Sequence, residues 1–263
     1  MSNPPASTSL AIVLPAYNEA GRIGPALDEL FGYLGRSAGS LRSVQVIVVD
    51  DGSGDGTADL VRARPEARPE ADGPRLDVLS VPHGGKGAAV RAGMLAADAD
   101  LIVFADADMA TPPDQLPLLI SALADSDVAL GSRIQPDGFD MRASQPAFRR
   151  ALGRLFHALA SIWVVGPVED THCGFKGFRR AAAHDLFARQ QVTSIVFDVE
   201  LVYLARRRGY RLAVVPIRWD DRHGSRMRPG LALALRVAWD LFRIPLIHRG
   251  VRPAVPRAEG ERG

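Results

Sequence analysis

The feature that most constrains this chain is a repeated alternation of short apolar runs with helix-like segments. Each run ends abruptly at polar or turn-forming residues, and a pattern with helical spacing follows it. Runs that are apolar throughout fit strands buried on both faces, which need helices on both sides of the sheet. The alternation therefore predicts an α/β fold with a doubly wound, mostly parallel sheet flanked by helices. The runs are residues 10–14, 44–49, 77–81, 101–105 and 128–131.

Length and composition limit what this sheet can belong to. The chain has 263 residues, of which 47% are hydrophobic, enough for one large domain with its own core. The 32 basic residues nearly match the 30 acidic ones, so we expect no nucleic-acid partner. No apolar run approaches the roughly 18 residues of a membrane-spanning helix. The start of the chain lacks a signal-peptide pattern and Cys173 is the lone cysteine, so we expect a cytoplasmic location.

The two ends of the chain differ from the middle. Residues 1–9 and 251–263 are polar and contain several Pro residues, and we expect both to be flexible. Between them we expect one α/β domain over residues 10–229 and an amphipathic helix over residues 230–250. Residues 62–75 are charged and contain Pro, which predicts a surface loop.

Polar side chains follow three of the predicted strands. Asp50, Asp51 and Ser53 follow the second, Asp106 and Asp108 follow the fourth, and the sequence PAYNE ends the first. A single Asp or Ser after a strand commonly caps the next helix. Ligands of open α/β sheets, however, bind beyond the carboxyl ends of the strands. Three polar ends together therefore favour a ligand site at that edge.

Asp106 and Asp108 are the strongest candidates for metal ligands. They alternate around Ala107, so an extended backbone would place both on one face, and a local turn would let them share one cation. Mg²⁺ or Mn²⁺ takes one or two carboxylates and completes its shell with diphosphate oxygens and water. A phosphatase of the haloacid dehalogenase kind would need Thr at position 110, which is Ala. Asp50 and Asp51 also resemble the acidic pair of response regulators, but the other characteristic residues of those receiver domains are missing.

Several short stretches share their order and spacing with a known family. They are VLPAYNE at 13–19, VVDDGS at 48–53, GKG at 85–87, DAD at 106–108 and GSR at 131–133. Together they resemble glycosyltransferase family 2, which has the GT-A fold. DTHCGFK at 170–176 and FDVE at 197–200 are similar to its dolichyl-phosphate glucose synthase branch and to the bacterial polyprenyl-phosphate relatives. The resemblance runs from residue 10 to about residue 228.

The resemblance implies a role for each matched residue. The ends of the first two strands would hold the nucleoside of a nucleotide-sugar, with Asp51 accepting a hydrogen bond from a base N–H. The residues from Asp106 to Asp108 would bind ribose, diphosphate and Mg²⁺ or Mn²⁺, and Lys86 would support the donor from a Gly-flanked loop. The implied donor-binding residues are Pro15, Ala16, Tyr17, Glu19, Val49, Asp51, Lys86, Asp106, Ala107, Asp108, Arg133, Arg222 and Arg226.

The implied catalytic residues are Asp106, Asp108, Arg133 and Asp170, the first two as metal ligands. Arg133 would face phosphate charge. Asp170 has two open interpretations, because it would either orient the sugar or an arginine, or cap the turn that follows it. Cys173 is interpreted as a packing residue, since it has no Cys or His neighbours in a cluster.

Two departures from the mannosyl-transferring relatives favour a UDP-sugar donor. This chain has Ala110 where some of them have Gln, and Asp198 where they have Lys. The resemblance implies an inverting transfer of a hexose, glucose or a relative of it, to a polyprenyl phosphate. The alternatives are a GDP-mannose donor and a saccharide hydroxyl acceptor. A binding module without turnover would be expected to lack one Asp of the 106/108 pair, and both are present.

A phosphate acceptor changes what the site must supply. A phosphate monoester is already anionic near pH 7, so no strong general base is required. Cationic side chains must instead hold the acceptor, and Arg suits phosphate because it binds in a bidentate way. The candidates are Arg133, Arg149, Arg150, Arg154, Lys176 and Arg179.

The last segment with helical spacing, Leu231–Ile247, indicates how the protein would reach a lipid-linked acceptor. Arg236, Asp240 and Arg243 fall on one face of it, and apolar residues including Trp239 fill much of the rest. Two interpretations stay open, a helix packed on the core and a helix lying in the headgroup plane of a membrane. The second, with residues 151–165 as a further interfacial element, predicts a peripheral protein on the inner face of the cytoplasmic membrane.

Overall fold

The computed structural model describes residues 8–37, 41–135, 170, 173–220 and 231–254. Its strands, in chain order, are β1 Ser9–Ala16, β2 Ser43–Asp50, β3 Arg75–Ser80, β4 Leu101–Phe104, β5 Val128–Ser132, β6 Lys176–Arg179 and β7 Leu212–Pro216. Its helices are α1 Ile23–Ser37, α2 Thr57–Arg62, α3 Lys86–Ala96, α4 Leu116–Ala122, α5 Arg180–Arg189, α6 Phe197–Arg208 and α7 Leu231–Ile247.

The seven strands form one sheet in the order β3-β2-β1-β4-β6-β5-β7. Neighbouring strands are parallel except around β6, which runs antiparallel to β4 and β5. The predicted mostly parallel sheet flanked by helices is confirmed. Because β1 pairs with β2 on one side and β4 on the other, the carboxyl ends of these three strands meet at the same edge.

Two layers of helices cover the sheet. Leu10, Ile12 and Leu14 of β1 face α1, α2 and α4, whereas Ala11 and Val13 face the layer of α3, α5, α6 and α7. This alternation is the period of two that a strand imposes on its side chains. Both faces are apolar because both are covered, which is why the central strands appear in the sequence as continuous apolar runs.

The structured chain extends slightly beyond the predicted domain at both ends. β1 begins at Ser9, whose hydroxyl donates to the Asp100 carboxylate over 2.7 Å. At the other end, the Ala254 N–H donates to the Arg208 carbonyl over 2.8 Å. The predicted surface loop over residues 62–75 contains the end of α2, a 3₁₀ turn at Pro65–Ala67 and the first residue of β3.

α7 turns a different face to solvent from the one its charges suggest. Asp240 is buried, accepts a hydrogen bond from the Ser194 hydroxyl over 2.6 Å and pairs with Arg243. Leu241 and Ile244 pack into the core. The exposed side chains include three large apolar residues, which are Trp239, Phe242 and Leu246. In the part of the chain that is described, no helix has the length and hydropathy to span a membrane.

Gly93 sets the distance between α3 and the sheet. A Cβ there would overlap a methyl group of Val13 and lie 2.6 Å from a methyl carbon of Val49. Real Cβ atoms do not approach other carbons that closely, so only Gly lets α3 pack this tightly on β1 and β2. The same helix begins at Lys86, so the packing of α3 on the sheet also determines where Lys86 lies.

We predict that Gly93→Ala lowers the free energy of unfolding by about 1–3 kcal/mol, because an added methyl group overpacks the core. Denaturant unfolding measures this. Gly35→Ala is the control, since Gly35 lies in α1 and a Cβ there would have no neighbour within 4 Å. Equal stability of the two variants would contradict the packing argument.

Candidate active site

A cleft lies at the edge where β1, β2 and β4 end. It brings together residues from the ends of these three strands and from the loop before α3. The residues that line it are Pro15, Ala16, Tyr17, Glu19, Asp51, His83, Gly85, Lys86, Ala89, Asp106, Ala107 and Asp108. Nine of the thirteen predicted donor-binding residues are among them. Stretches separated by up to 93 positions, from 15 to 108, thus form one surface.

One end of the cleft is built around the Asp51 carboxylate, which is buried. The Gly84 N–H donates to its Oδ1 over 2.8 Å, and the Gly85 N–H donates to its Oδ2 over 3.0 Å. His83 Nδ1 lies 2.9 Å from Oδ2 and 3.1 Å from the Asp51 carbonyl oxygen. Since both partners only accept, Nδ1 carries the proton. Asp51 therefore fixes the conformation of the loop that precedes α3.

The aromatic wall of this end is a stacked pair. The rings of Tyr17 and His83 lie 4.2 Å apart between centroids, with 23° between their planes. Tyr17 belongs to the loop after β1, and that loop is tied to the one after β2 by the Ser53 hydroxyl, which accepts from the Asn18 N–H over 2.9 Å. The Thr57 hydroxyl accepts from the Glu19 N–H in the same way. A flat aromatic surface beside a buried carboxylate suits a planar heterocycle with an N–H donor.

The other end of the cleft is acidic. After β4 the chain makes a turn in which the Asp106 carbonyl accepts from the Met109 N–H over 3.1 Å, so the two aspartates follow a local turn and not an extended strand. Lys86 Nζ lies 2.5 Å from Asp106 Oδ1. A Cβ at Gly174 would overlap the Asp106 carboxylate, so this position accommodates only Gly. The Asp108 carboxylate accepts only from the Ala110 N–H among the described hydrogen bonds.

The titration of this acidic end reflects crowding of charge. Burial and the neighbouring charge of Asp106 raise the pKa of Asp108 above its ordinary value. Burial alone would lower the pKa of Lys86, but the charges of Asp106 and Asp198 outweigh it, so the pKa is raised. Lys86 therefore stays cationic. Asp108 has no cationic group within 4.0 Å among the described residues, which makes it the carboxylate most in need of a cation.

Arg133, at the end of β5, is held by Asp170. Its Nε and a terminal nitrogen donate to the two carboxylate oxygens over 2.8 and 2.7 Å, and its backbone N–H donates to the same carboxylate over 2.9 Å. The guanidinium also lies 5.6 Å from the centre of the Trp219 ring. Burial would lower the pKa of Arg133, yet the hydrogen bonds and charge of Asp170 raise it. Of the two interpretations of Asp170, the structure therefore supports the one in which it orients an arginine.

Comparison with known proteins agrees with this arrangement. The family model described as glycosyl transferase family 2 matches residues 11–187. The chain belongs to glycosyltransferase family 2. This glycosyltransferase is 36% identical over 254 residues to the dolichyl-phosphate β-glucosyltransferase ALG5C of Trichomonas vaginalis, covering 93% of this chain and 73% of that one. It is 37% identical to the Drosophila melanogaster dolichyl-phosphate β-glucosyltransferase, covering 90% and 74%.

Solved structures share the fold of this glycosyltransferase at low sequence identity. Mannosyl-3-phosphoglycerate synthase from Rubrobacter xylanophilus has a TM-score of 0.61 at 20% identity, over 93% of this chain and 74% of that one. The mannosyltransferase PcManGT from Pyrobaculum calidifontis, solved with GDP-Man and Mn²⁺, has a TM-score of 0.53 at 18% identity, over 94% and 76%. These neighbours show the GT-A fold.

Asp106 and Asp108 of this glycosyltransferase fit a divalent ion such as Mg²⁺ or Mn²⁺. Both offer hard carboxylate oxygens, and the ammonium of Lys86 already lies against one of them. Within the described ranges, no group of three His, Cys, Asp or Glu side chains forms a metal cage. An ion at these two carboxylates would therefore take its other ligands from diphosphate oxygens and water, as Mg²⁺ commonly does.

Two of the cations predicted to meet the acceptor lie elsewhere. Lys176 is fully buried, with its Nζ 2.5 Å from Asp198 Oδ1 and 2.6 Å from the Cys173 carbonyl. Arg179 lies at the opposite end of β6, where it donates to the carbonyls of Ser126 and Ala124. Both expectations were wrong because β6 was not foreseen, and its pairing with β4 buries the first residue and turns the last away from the cleft.

Other predicted residues have different outcomes. Val49 does not line the cleft, because its side chain is buried in the core beneath α3. Burial raises the pKa of Cys173 to about 12, which agrees with the predicted packing role. The remaining predictions fall outside the described residues, and these are Arg149, Arg150, Arg154, residues 151–165, Arg222 and Arg226.

The structure adds residues that the sequence did not single out. His83 stacks on Tyr17, and Arg22 forms a bidentate pair with Glu19, with both contacts at 2.6 Å. Arg22 follows Glu19 by three positions in the sequence, the spacing of neighbours on one helical turn. The Thr193 carbonyl accepts from the Gly87 N–H, and a Cβ at Gly87 would lie 2.7 Å from that oxygen. Residues 190–196 thus support the loop that carries Lys86.

We predict that Asp108→Asn weakens Mn²⁺ binding at least about tenfold in the presence of saturating UDP, because it removes a carboxylate charge that forms no ion pair within 4.0 Å among the described residues. Titration of free Mn²⁺ by electron paramagnetic resonance measures the affinity. Asp114→Asn is the control, since Asp114 pairs with Arg218 at the surface and does not line the cleft. An unchanged affinity in Asp108→Asn would show that Asp108 is not a ligand.

Proposed function

We propose that this glycosyltransferase transfers a hexose, glucose or a close relative of it, from a UDP-sugar to a polyprenyl phosphate. The observation that carries the proposal is the single cleft with Tyr17 and Asp51 at one end and the Asp106/Asp108 pair at the other. Such a cleft matches a nucleotide-sugar, which has a planar base at one end and a diphosphate further along. Relatives that are 31–37% identical and named dolichyl-phosphate β-glucosyltransferases support the acceptor class.

The base end of the cleft recognises the nucleoside. Tyr17 offers a ring for stacking, and the Asp51 carboxylate accepts from a base N–H. Two backbone N–H groups of the 83–85 loop already orient that carboxylate, so recognition requires little rearrangement of it. TarS from S. aureus, solved with UDP-GlcNAc, has the same fold with a TM-score of 0.51 at 16% identity, over 93% of this chain and 73% of that one.

The acidic end of the cleft handles the diphosphate. A divalent ion bound there would neutralise the charge that develops on the departing diphosphate. Asp106 and Asp108 would hold that ion, and Lys86 adds a fixed positive charge beside them. Arg133 is kept cationic and in a fixed orientation by Asp170, and its charge acts on Asp106 from the side of β5. These residues orient the donor so that its anomeric carbon is open to attack from the opposite side.

The acceptor phosphate needs no proton removed by a base. Its oxygen is already anionic near pH 7, so the chain contributes by alignment and by excluding water. The phosphate oxygen forms a bond to the anomeric carbon while the bond to the diphosphate oxygen breaks, and the configuration inverts. Arg222 and Arg226, which lie outside the described residues, remain the predicted partners of phosphate charge.

α7 meets the membrane that holds the acceptor lipid. Trp239, Phe242 and Leu246 are 61%, 48% and 51% exposed and follow one another at intervals of three and four residues, so they form one apolar stripe. The opposite face, with Leu241 and Ile244, anchors the helix to the core. A polyprenyl tail stays in the bilayer because exposing each CH₂ costs about 0.8 kcal/mol. The enzyme therefore works as a peripheral protein on the inner face of the cytoplasmic membrane.

We predict that the purified protein, given Mg²⁺ and a short-chain polyprenyl phosphate, converts label from UDP-glucose into an organic-extractable product. Label from GDP-mannose should be converted at least about tenfold more slowly, because Ala110 and Asp198 stand where some mannosyl-transferring relatives have Gln and Lys. Asp108→Asn serves as the inactive control. Faster conversion of GDP-mannose would assign the alternative donor. A parallel reaction adds an oligosaccharide, and label transferred only to that saccharide would assign the alternative acceptor.

We predict that the Trp239→Glu, Phe242→Glu double variant loses binding to vesicles, because two charges replace the apolar stripe. Flotation of the protein with liposomes measures binding. The Leu60→Glu, Val214→Glu variant is the matched control, since it adds the same charge at two other exposed apolar positions. If the α7 variant floats as well as wild type, another element meets the bilayer.

A further inference from the structure

Far from the cleft, four arginines line a shallow cavity on the surface. Arg206 and Arg207 come from the last turn of α6, and Arg249 and Arg252 come from the segment that follows α7. The other lining residues are Gly250, Val251 and Pro253. Among residues 8–37, 41–135, 170, 173–220 and 231–254, no acidic side chain lines the cavity. The described lining of the cavity therefore carries only positive side-chain charge.

These four guanidinium groups lack an acidic partner in the described ranges, where no carboxylate lies within 4.0 Å of them. The adjacent Arg208 shows the contrast, because it pairs with Asp185 over 2.6 Å. Basic residues in the last turn of a helix are favoured by the helix dipole, which accounts for Arg206 and Arg207. That effect does not account for Arg249 and Arg252, which a separate segment brings to the same place.

The conformation that gathers these charges is built into the fold. Arg207 donates to the carbonyl oxygens of Arg249 and Val251 over 3.3 and 3.5 Å. Arg208 donates to the carbonyl oxygen of Arg252 over 2.7 Å. The Val251 side chain packs against the core. The segment after α7 is thus folded back onto α6 at the cost of like-charge repulsion, which an anion in the cavity would relieve.

The cavity continues the apolar stripe of α7. In the turn that follows α7, the Arg249 N–H donates to the Leu246 carbonyl oxygen over 3.4 Å, so Arg249 adjoins the end of the stripe of Trp239, Phe242 and Leu246. A surface with insertable apolar side chains at one end and a cationic cavity at the other has the two features that bind proteins to anionic membranes.

We propose that the Arg206/Arg207/Arg249/Arg252 cavity binds the phosphate headgroups of anionic phospholipids and so holds α7 flat along the bilayer. This inference rests on the proposed docking of α7 to a membrane. Guanidinium groups suit phosphate because they donate in a bidentate way. Two attachments, one apolar and one cationic, fix the direction of the helix on the surface, whereas one attachment would let it pivot.

The test compares vesicles of phosphatidylcholine alone with vesicles that also contain phosphatidylglycerol. We expect wild type to bind the anionic vesicles at least about tenfold more tightly, and salt to weaken that preference. Arg249→Gln, Arg252→Gln should lose most of the preference while binding neutral vesicles as wild type does. Its glycosyl transfer to a short-chain, water-soluble acceptor should be unchanged, which shows that the variant folds.

The control is Arg36→Gln, Arg68→Gln, which removes the same charge from two exposed positions on the other side of the sheet. A variant at 249 and 252 that keeps the wild-type preference would overturn the inference, and so would an equal loss in the control. Binding of a short RNA with the same sensitivity would overturn it too, by assigning the cavity to nucleic acid. None of these results affects flotation through Trp239 and Phe242, so the two proposals fail separately.

Discussion

The parallel pairing of β1 between β2 and β4 is the constraint on which the rest of the structure depends. In this register Ala16 lies opposite Asp50, and Val13 lies opposite Phe104, so three loops leave the sheet at one edge. The tight packing of α3 at Gly93 then places the start of that helix at the same edge. Strand register and helix packing therefore bring four side chains to the same cleft, those of Tyr17, Asp51, Lys86 and Asp106.

Charge in and beneath the cleft is neutralised in pairs. Lys86 lies against Asp106, Lys176 against Asp198, and Arg133 against Asp170. Burial raises the pKa of Asp198, and the nearby charges of Lys176 and Lys86 oppose that rise. In the two buried pairs, Lys176–Asp198 and Arg133–Asp170, removing one member leaves an unpaired buried charge, which costs more than the pair gains. The pairs therefore fix the geometry of the acidic turn and leave Asp108 as its open carboxylate.

Strands with apolar side chains on both faces can be predicted from the sequence. Elements that bury polar or charged side chains cannot, because their partners are distant in the chain. The strands β1, β2, β4 and β5 appear as apolar runs because helices cover both faces, whereas β3 lies at the sheet edge and is only partly buried. β6 is Lys-Gly-Phe-Arg, a sequence with no apolar run, and it is a strand because it pairs with β4 and β5. Its first residue, Lys176, is buried only because it forms an ion pair with Asp198, 22 positions away, which no local pattern reveals. The same limit applies to Asp240, whose burial depends on Ser194. The sequence also gives no sign of the role of His83, because its ring stacks on Tyr17 only when two distant loops come together in the fold.

Residues 190–196 connect the cleft loop to the C-terminal helix α7, so truncation of the chain would affect both. The Thr193 carbonyl accepts from the Gly87 N–H beside the cleft, and the hydroxyl of the next residue, Ser194, donates to Asp240 of α7. The Glu200 carboxylate accepts from the N–H groups of Gln191 and Val192 and is itself paired with His248. A chain that ended before residue 231 would thus lose more than its apolar stripe. It would also lose a contact that supports the loop carrying Lys86, so the C-terminal helix is a structural part of the cleft.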